Sequence, residues 1–103
     1  PKKNCLYFVV DSVANIILYL GVILRSGKSR QKEHGLKEYI ESYQSSHQEY
    51  GLQTAIKIGY MSDIPQRKEA IQELKLYLIY KWRSPFNQEN WTKWGQPFGK
   101  DCI

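Results

Sequence analysis

The sequence has 103 residues, a length that fits one domain around a single core and excludes a multidomain enzyme. Its composition is that of a folded chain, because 42% of the residues are hydrophobic and 14% are aromatic, which excludes a disordered polymer. Fifteen Lys and Arg residues against ten Asp and Glu residues leave a net charge of +5, which favours a polyanionic partner.

The cysteines and the hydropathy of the chain indicate its redox state and its relation to membranes. Cys5 and Cys102 stand near opposite ends and share no metal-ligand spacing with histidine, so we expect reduced thiols in a cytoplasmic protein, with one terminal disulfide as the alternative. The longest apolar stretch, residues 13–24, contains Asn15 and Gly21 and is shorter than the ~20 residues of a membrane span. We therefore expect neither a membrane partner nor a targeting segment.

Two strands are predicted at the start of the chain. Residues 5–11 and 16–20 read CLYFVVD and IILYL, and both runs are rich in aromatic and β-branched side chains. The short link between them, residues 11–15, carries turn formers at both ends, which predicts an antiparallel hairpin. Because both runs are continuously apolar, we expect the hairpin to be buried on both faces.

A basic segment and a first helix follow the hairpin. Residues 25–32 are rich in cations and lead into a helix predicted over residues 29–45, where apolar side chains recur at helical spacing. The cations are Arg25, Lys28, Arg30 and Lys32. The apolar stripe consists of Leu36, Tyr39, Ile40 and Tyr43.

A third strand and a second helix complete the regular pattern. Residues 54–60 alternate as a strand does. Ser62 and Asp63 offer a cap and Pro65 suits a first turn, so we expect a second helix from there to about Lys81. Its predicted core-facing stripe is Ala70, Ile71, Leu74, Tyr77 and Leu78.

The end of the chain is aromatic. Residues 82–99 contain all three tryptophans together with Phe86 and Phe98. The spacing of the tryptophans beside a helix end favours core packing, with the stacking of bases as the alternative, and we expect the segment to wrap the sheet or the second helix. The order ββαβα predicts one α+β domain over residues 1–103, with a three-stranded, mostly antiparallel sheet flanked by helices.

Two tyrosines frame the predicted hairpin. Tyr7 lies in the first strand, and Tyr19 opens the run YLG at the end of the second. With a basic helix start, a third strand, a second helix and a late run PFN at residues 85–87, this order resembles the GIY-YIG nuclease superfamily from residue 6 to residue 87. Members with the full motif are metal-dependent phosphodiesterases. The resemblance implies a small GIY-YIG-like domain without an appended DNA-binding domain.

The resemblance assigns catalytic roles to five positions. Tyr7 and Tyr19 would position the phosphate or help to activate the attacking water. Arg30 corresponds to the family arginine if the loop after Tyr19 is one residue longer, and it would stabilise transition-state charge, with His34 one turn later on the same helix face. Asn87 matches the late asparagine that supports the site by hydrogen bonding, and it also fits a helix stop. The structural alternatives are packed strand aromatics and a solvated helix start.

The metal-binding glutamate of the family is replaced in this sequence. Twelve residues before Asn87, where the resemblance places that glutamate, the chain has Lys75. An ammonium cannot bind a metal, and it would repel Mg²⁺ while attracting a phosphate. Glu73 and Glu69 are expected on another face, because two residues rotate a helix position by about 200°. We therefore assign no metal ligand, and Mg²⁺ would be a cofactor only of an active enzyme.

Three functions follow from these residues. The first is a GIY-YIG-like nucleic-acid-binding domain, favouring DNA over RNA, whose metal-dependent phosphodiesterase activity is lost or impaired. The second is an active divalent-metal endonuclease on DNA or RNA. The third is a protein-interaction domain that binds a protein partner or a second copy of itself. The cations expected to contact nucleic acid are Arg25, Lys28, Arg30, Lys32 and Lys75.

Overall fold

The computed structural model describes residues 3–26 and 35–95, and it has the α+β architecture that the sequence predicts. The three strands are β1 (Cys5–Asp11), β2 (Ile16–Ile23) and β3 (Ile56–Met61). The helices are α1 (Leu36–Glu49), α2 (Lys68–Trp82) and the short α3 (Trp91–Trp94), which follows a 3₁₀ turn at Gln88–Asn90. The predicted start of the first helix at residues 29–34, and Cys102, lie outside the described residues.

The sheet has the order β2-β1-β3, and both pairings are antiparallel. β1 has the predicted bounds, whereas β2 continues to Ile23 instead of ending at Leu20. Gly21 does not end the strand, because it pairs across the sheet with Tyr7. β1 is therefore the central strand, and β2 and β3 form the two edges.

Both faces of the hairpin are covered, as its apolar composition predicts. One cluster packs α2 on β1 and β2 and contains Leu6, Leu20, Val22, Ile71, Leu78 and Ile79. The other packs α1 and the chain after α2 on the opposite face and contains Tyr7, Val9, Leu18, Tyr19, Leu36 and Phe86. The predicted stripe of α1 packs as expected, since Tyr39, Ile40 and Tyr43 contact this second cluster.

α1 extends beyond its predicted end at residue 45. The polar residues that follow continue the helix to Glu49, and the backbone turns only at Gly51, which has φ = +74°. The amides of Gly51 and Leu52 donate to the carbonyls of Gln48 and His47 at 3.0 and 2.8 Å. This glycine-based termination satisfies helix carbonyls, which the polar composition alone does not indicate.

α2 begins at Lys68, several residues later than predicted, and neither Ser62 nor Asp63 caps it. A long-range contact explains the delay. The Asn4 amide N–H donates to Gln66 Oε1 at 2.8 Å, and Gln66 Nε2 donates to the Asn4 carbonyl at 3.1 Å. These bonds hold the chain before α2 against the start of β1.

The core stripe of α2 also differs from the predicted one. The buried residues are Ile71, Lys75, Leu78 and Ile79. Tyr77 was expected in the core, but 60% of it is exposed. The buried face of α2 is therefore rotated from the predicted one, because Lys75 is buried together with its apolar neighbours. None of the helices in the described ranges is long and apolar enough to cross a membrane.

Candidate functional site

The two motif tyrosines meet on one face of the sheet. Their ring centroids are 6.0 Å apart at an interplanar angle of 45°, and both residues are buried. The Tyr7 ring lies over Gly21, where a Cβ would overlap the ring. Glycine is therefore the residue that lets the Tyr7 ring lie over β2, which gives the last letter of the run YLG a structural reason.

Asn87 joins the chain after α2 to the edge of β2. Its Nδ2 donates to the Leu20 carbonyl at 2.9 Å, and its Oδ1 accepts from the Leu20 N–H at 2.9 Å and from the Ser84 hydroxyl at 2.6 Å. The Phe86 N–H also donates to the Leu18 carbonyl at 3.0 Å. Asn87 is fully buried and acts as a side-chain partner for an edge strand.

The aromatic end of the chain packs partly as predicted. Trp91 lies edge-on to Tyr39 at 5.7 Å between ring centroids, and its Nε1 donates to the Pro85 carbonyl at 3.0 Å. The segment thus packs against the sheet at β2, as predicted, and also against α1, which the prediction did not include. Trp94 departs from the expectation of core packing, since 56% of it is exposed. Phe98 lies outside the described residues.

Asn90 fixes the same segment to the end of α2. Its Nδ2 donates to the carbonyls of Ile79 and Ser84, both at 3.0 Å. The Ile79 carbonyl belongs to the last turn of α2, where helix carbonyls lack a partner in the helix. Sequence reasoning missed Asn90, because its role depends on the chain folding back after the helix.

Lys75 is buried and faces a carboxylate that the sequence analysis did not select. Lys75 Nζ lies 3.9 Å from Glu89 Oε2, and the two side chains are 4% and 22% exposed. Glu73 and Glu69 are exposed, away from this pair. The role expected for Lys75 as a phosphate contact stays a prediction, and the burial adds a condition: the phosphate would have to compete with Glu89.

Glu89 also acts on Tyr19. Burial, reinforced by the negative charge of Glu89, raises the pKa of Tyr19 to about 12. Glu89 therefore interacts with both residues: its Oε2 lies 3.9 Å from Lys75 Nζ, and its charge acts on Tyr19. Its Oε1 is buried and accepts no hydrogen bond within the described parts of the chain. No helical or strand period marks Glu89, because it belongs to a 3₁₀ turn.

Of the remaining predicted site residues, Arg25 is the one that lies within the described ranges. Arg25 is exposed just after β2, and its N–H donates to Asn4 Oδ1 at 2.8 Å. It lines a polar cleft of about 380 Å³ together with Lys68 and Gln66. The other predicted cations and the predicted histidine lie outside the described residues, and they are Lys28, Arg30, Lys32 and His34.

Within residues 3–26 and 35–95, no group of three or more His, Cys, Asp or Glu side chains could hold a metal ion. The arrangement joins two tyrosines, one carboxylate and one ammonium, with Asn87 as the anchor of the segment that carries the carboxylate. Comparison of the chain with protein-family models, curated proteins and solved structures finds no match. Membership of the GIY-YIG superfamily therefore stays a prediction from the motifs.

Proposed function

We propose that this chain is a nucleic-acid-binding domain of GIY-YIG-like type in which metal-dependent cleavage of phosphodiesters has been lost. The observation that carries the proposal is the ion pair of Lys75 with Glu89, with Nζ and Oε2 3.9 Å apart. It puts a charge-compensated lysine where the resemblance requires a metal-binding glutamate. Hydrolysis of this kind depends on the metal for both the nucleophile and the leaving-group charge, so its loss removes most of the rate.

The state of Tyr19 also supports the loss of hydrolysis. A tyrosine that activates water must accept its proton, directly or through a neighbour. A phenol is protonated at neutral pH even with its ordinary pKa near 10, and burial and Glu89 raise the pKa of Tyr19 further, to about 12, so the form that could accept a proton becomes rarer still. It can donate a hydrogen bond to a phosphate oxygen but does not serve as a base.

Binding is supported by the cations around the end of β2. Arg25 and Lys68 line the same polar cleft of about 380 Å³. Residues 25–32 add three further cations along the chain, and the net charge is +5. Contacts of this type with phosphate supply the affinity of nucleic-acid-binding proteins and make it depend on salt.

The binding claim is tested with labelled duplex and single-stranded DNA and RNA by fluorescence anisotropy. If three phosphates are contacted, raising the salt from about 50 to about 200 mM weakens duplex binding roughly 40-fold. Arg25→Gln combined with Lys68→Gln should weaken binding and flatten the salt dependence. The matched control, which also removes two charges, is Lys37→Gln combined with Lys57→Gln, two exposed lysines on α1 and β3. Absence of binding to every nucleic acid at low salt contradicts the proposal.

The loss of cleavage is tested on plasmid DNA and labelled RNA with Mg²⁺, Mn²⁺ or EDTA. We expect no metal-dependent product from the wild type. Lys75→Glu would put two carboxylates beside each other and should create divalent-metal binding, detected by calorimetry, whereas Lys75→Met should not. Robust Mg²⁺-dependent cleavage by the wild type, abolished by Arg30→Ala, would overturn the proposal.

Glu89 favours a second candidate, an active divalent-metal endonuclease. Its charge acts on Tyr19, and its Oε1 accepts no hydrogen bond in the described part of the chain. Such an oxygen suits a divalent cation, which would have to displace the Lys75 ammonium from the other oxygen of the same carboxylate. In that case wild-type cleavage would be lost in Glu89→Gln, a change that keeps the shape of the side chain while removing its charge.

A further inference from the structure

Four large aromatic side chains of α2 and α3 are exposed, and two of them, Tyr77 and Trp94, are more than half exposed. Tyr77 is 60% exposed and Trp94 is 56% exposed. Tyr77 lies away from the buried stripe of α2, and Trp94 extends beyond the packed part of the aromatic segment. Packing within the described parts of the chain therefore does not account for either ring.

Each of these rings has a cation beside it. Lys81 Nζ lies 5.6 Å from the centroid of the Tyr77 ring, and Arg83 Cζ lies 4.2 Å from that of Trp94. Both cations are exposed, Lys81 in the last turn of α2 and Arg83 just after the helix. A cation held over an aromatic face keeps its full charge, because the ring is neutral. We call Tyr77, Lys81, Arg83 and Trp94 the stacking surface.

The backbone at Arg83 gives an independent reason to assign its side chain a role. Arg83 follows the last residue of α2 in a left-handed conformation, with φ = +51° and ψ = +44°. Glycine is favoured at this position, since any side chain makes the left-handed region less stable. The chain thus has an arginine at a position where glycine would stabilise the helix end.

We propose that the two cation–ring pairs of the stacking surface act together and bind single-stranded nucleic acid, with bases stacked on Trp94 and Tyr77 and phosphates on Arg83 and Lys81. The inference rests on the proposed function and names the form of its ligand. Unpaired bases offer flat faces for such rings, whereas the bases of a duplex are stacked on each other. An acidic peptide would satisfy the cations but has no series of flat groups for the rings.

The contribution of Trp94 should exceed that of Tyr77. Glu73 is exposed one helical turn before Tyr77, and its negative charge opposes phosphate there. Arg83 and Trp94 form the closer cation–ring contact of the two pairs. The first base is therefore assigned to Trp94, and Tyr77 takes a neighbouring one.

The test measures binding of labelled oligothymidine and oligouridine by anisotropy. We expect Trp94→Ala to weaken binding about tenfold and Trp94→Phe to restore part of the affinity, because phenylalanine still stacks. Tyr50→Ala, an 81% exposed tyrosine at the end of α1, is the matched control and should change nothing. Arg83→Gly should weaken binding while raising the urea midpoint, so its effect cannot come from misfolding.

Each other result contradicts the inference in a distinguishable way. If duplex DNA binds and neither Trp94→Ala nor Trp94→Phe differs from Tyr50→Ala, the stacking surface is wrong while the proposed function survives. If polyglutamate competes and its binding shows the same dependence on Trp94, the surface is a site for acidic proteins. If no nucleic acid binds at low salt, both the proposed function and this inference fail.

Discussion

Two cations close together in sequence, Lys75 in α2 and Arg83 just after it, have opposite surroundings. Lys75 is buried, and a carboxylate, that of Glu89, lies 3.9 Å from its Nζ. Arg83 is exposed and lies 4.2 Å from the centre of a neutral indole ring. A carboxylate cancels the positive charge that a ligand would meet, whereas a ring leaves that charge in place. The position of a cation in a motif therefore says less about phosphate binding than the group beside it.

The region around Lys75 and the region around Arg83 are also expected to contribute differently, the first to stability and the second to binding. Residues around Lys75 join three parts of the fold, since Asn87 and Asn90 tie the chain after α2 to β2 and to the end of α2. The stacking surface contributes little to the core. We therefore expect substitutions in the first region to lower the free energy of unfolding, and substitutions in the second to lower affinity by more than stability.

The largest effect is expected from Asn87→Ala. The change leaves the Leu20 N–H and C=O and the Ser84 hydroxyl without their buried partner. We expect a loss of about 3 to 4 kcal/mol in the free energy of unfolding, measured with urea. Gln88→Ala, at the exposed neighbouring position, is the control and should cost less than about 0.5 kcal/mol. Equal losses from the two changes would mean that Asn87 is not the anchor of this segment.

A smaller and asymmetric effect is expected within the ion pair. Glu89→Ala leaves the buried Lys75 without the carboxylate that compensates it, and we expect a loss of about 2 to 3 kcal/mol. Lys75→Met keeps the volume and leaves Glu89, which is partly exposed and can be solvated, so a loss below about 1 kcal/mol is expected. Urea unfolding of both variants and of the double variant gives the coupling between them. If Lys75→Met lowers the free energy of unfolding by more than Glu89→Ala does, contacts other than the ion pair stabilise the buried lysine.

Local composition was sufficient for the strands and for the order of elements. β1 has its predicted bounds, because aromatic and β-branched residues from Cys5 onward favour an extended chain and Asp11 begins the turn. The approach of Tyr7 to Tyr19 also follows from the sequence, since both lie in paired strands. These features depend on neighbours in the chain or on one hairpin.

The features that could not be predicted depend on distant contacts. The late start of α2 follows from Gln66 bonding to Asn4, which is far away in sequence. The exposure of Tyr77 follows from the burial of Lys75, which helical periodicity treats as a polar position. Glu89 reaches the site because Asn87 and Asn90 hold its segment to β2 and to the end of α2. The roles of these residues follow from no periodic pattern or motif, so they can be identified only in the folded structure.

The smallest effect, and the one that examines Glu89 most directly, is expected in the titration of Tyr19. Its pKa is raised to about 12 by burial and by Glu89, so the folded state keeps the phenolic proton after an unfolded chain loses it near about 10. The stability linked to this group is complete below about pH 10 and is lost as the pH rises toward 12. Tyrosinate absorbance should therefore show two late phenols, those of Tyr19 and Tyr43, and Tyr19→Phe should remove one of them. In Glu89→Gln the phenol of Tyr19 should titrate at a lower pH, because one of the two causes of its raised pKa is removed. Tyr43 is the reference, and its titration should not move. Burial and the hydrogen bond to Asp11 raise the pKa of Tyr43 to about 12.

An unchanged titration of Tyr19 in Glu89→Gln would show that the charge of Glu89 does not act on this face of the sheet. It would also remove the link between the buried ion pair and the motif tyrosines.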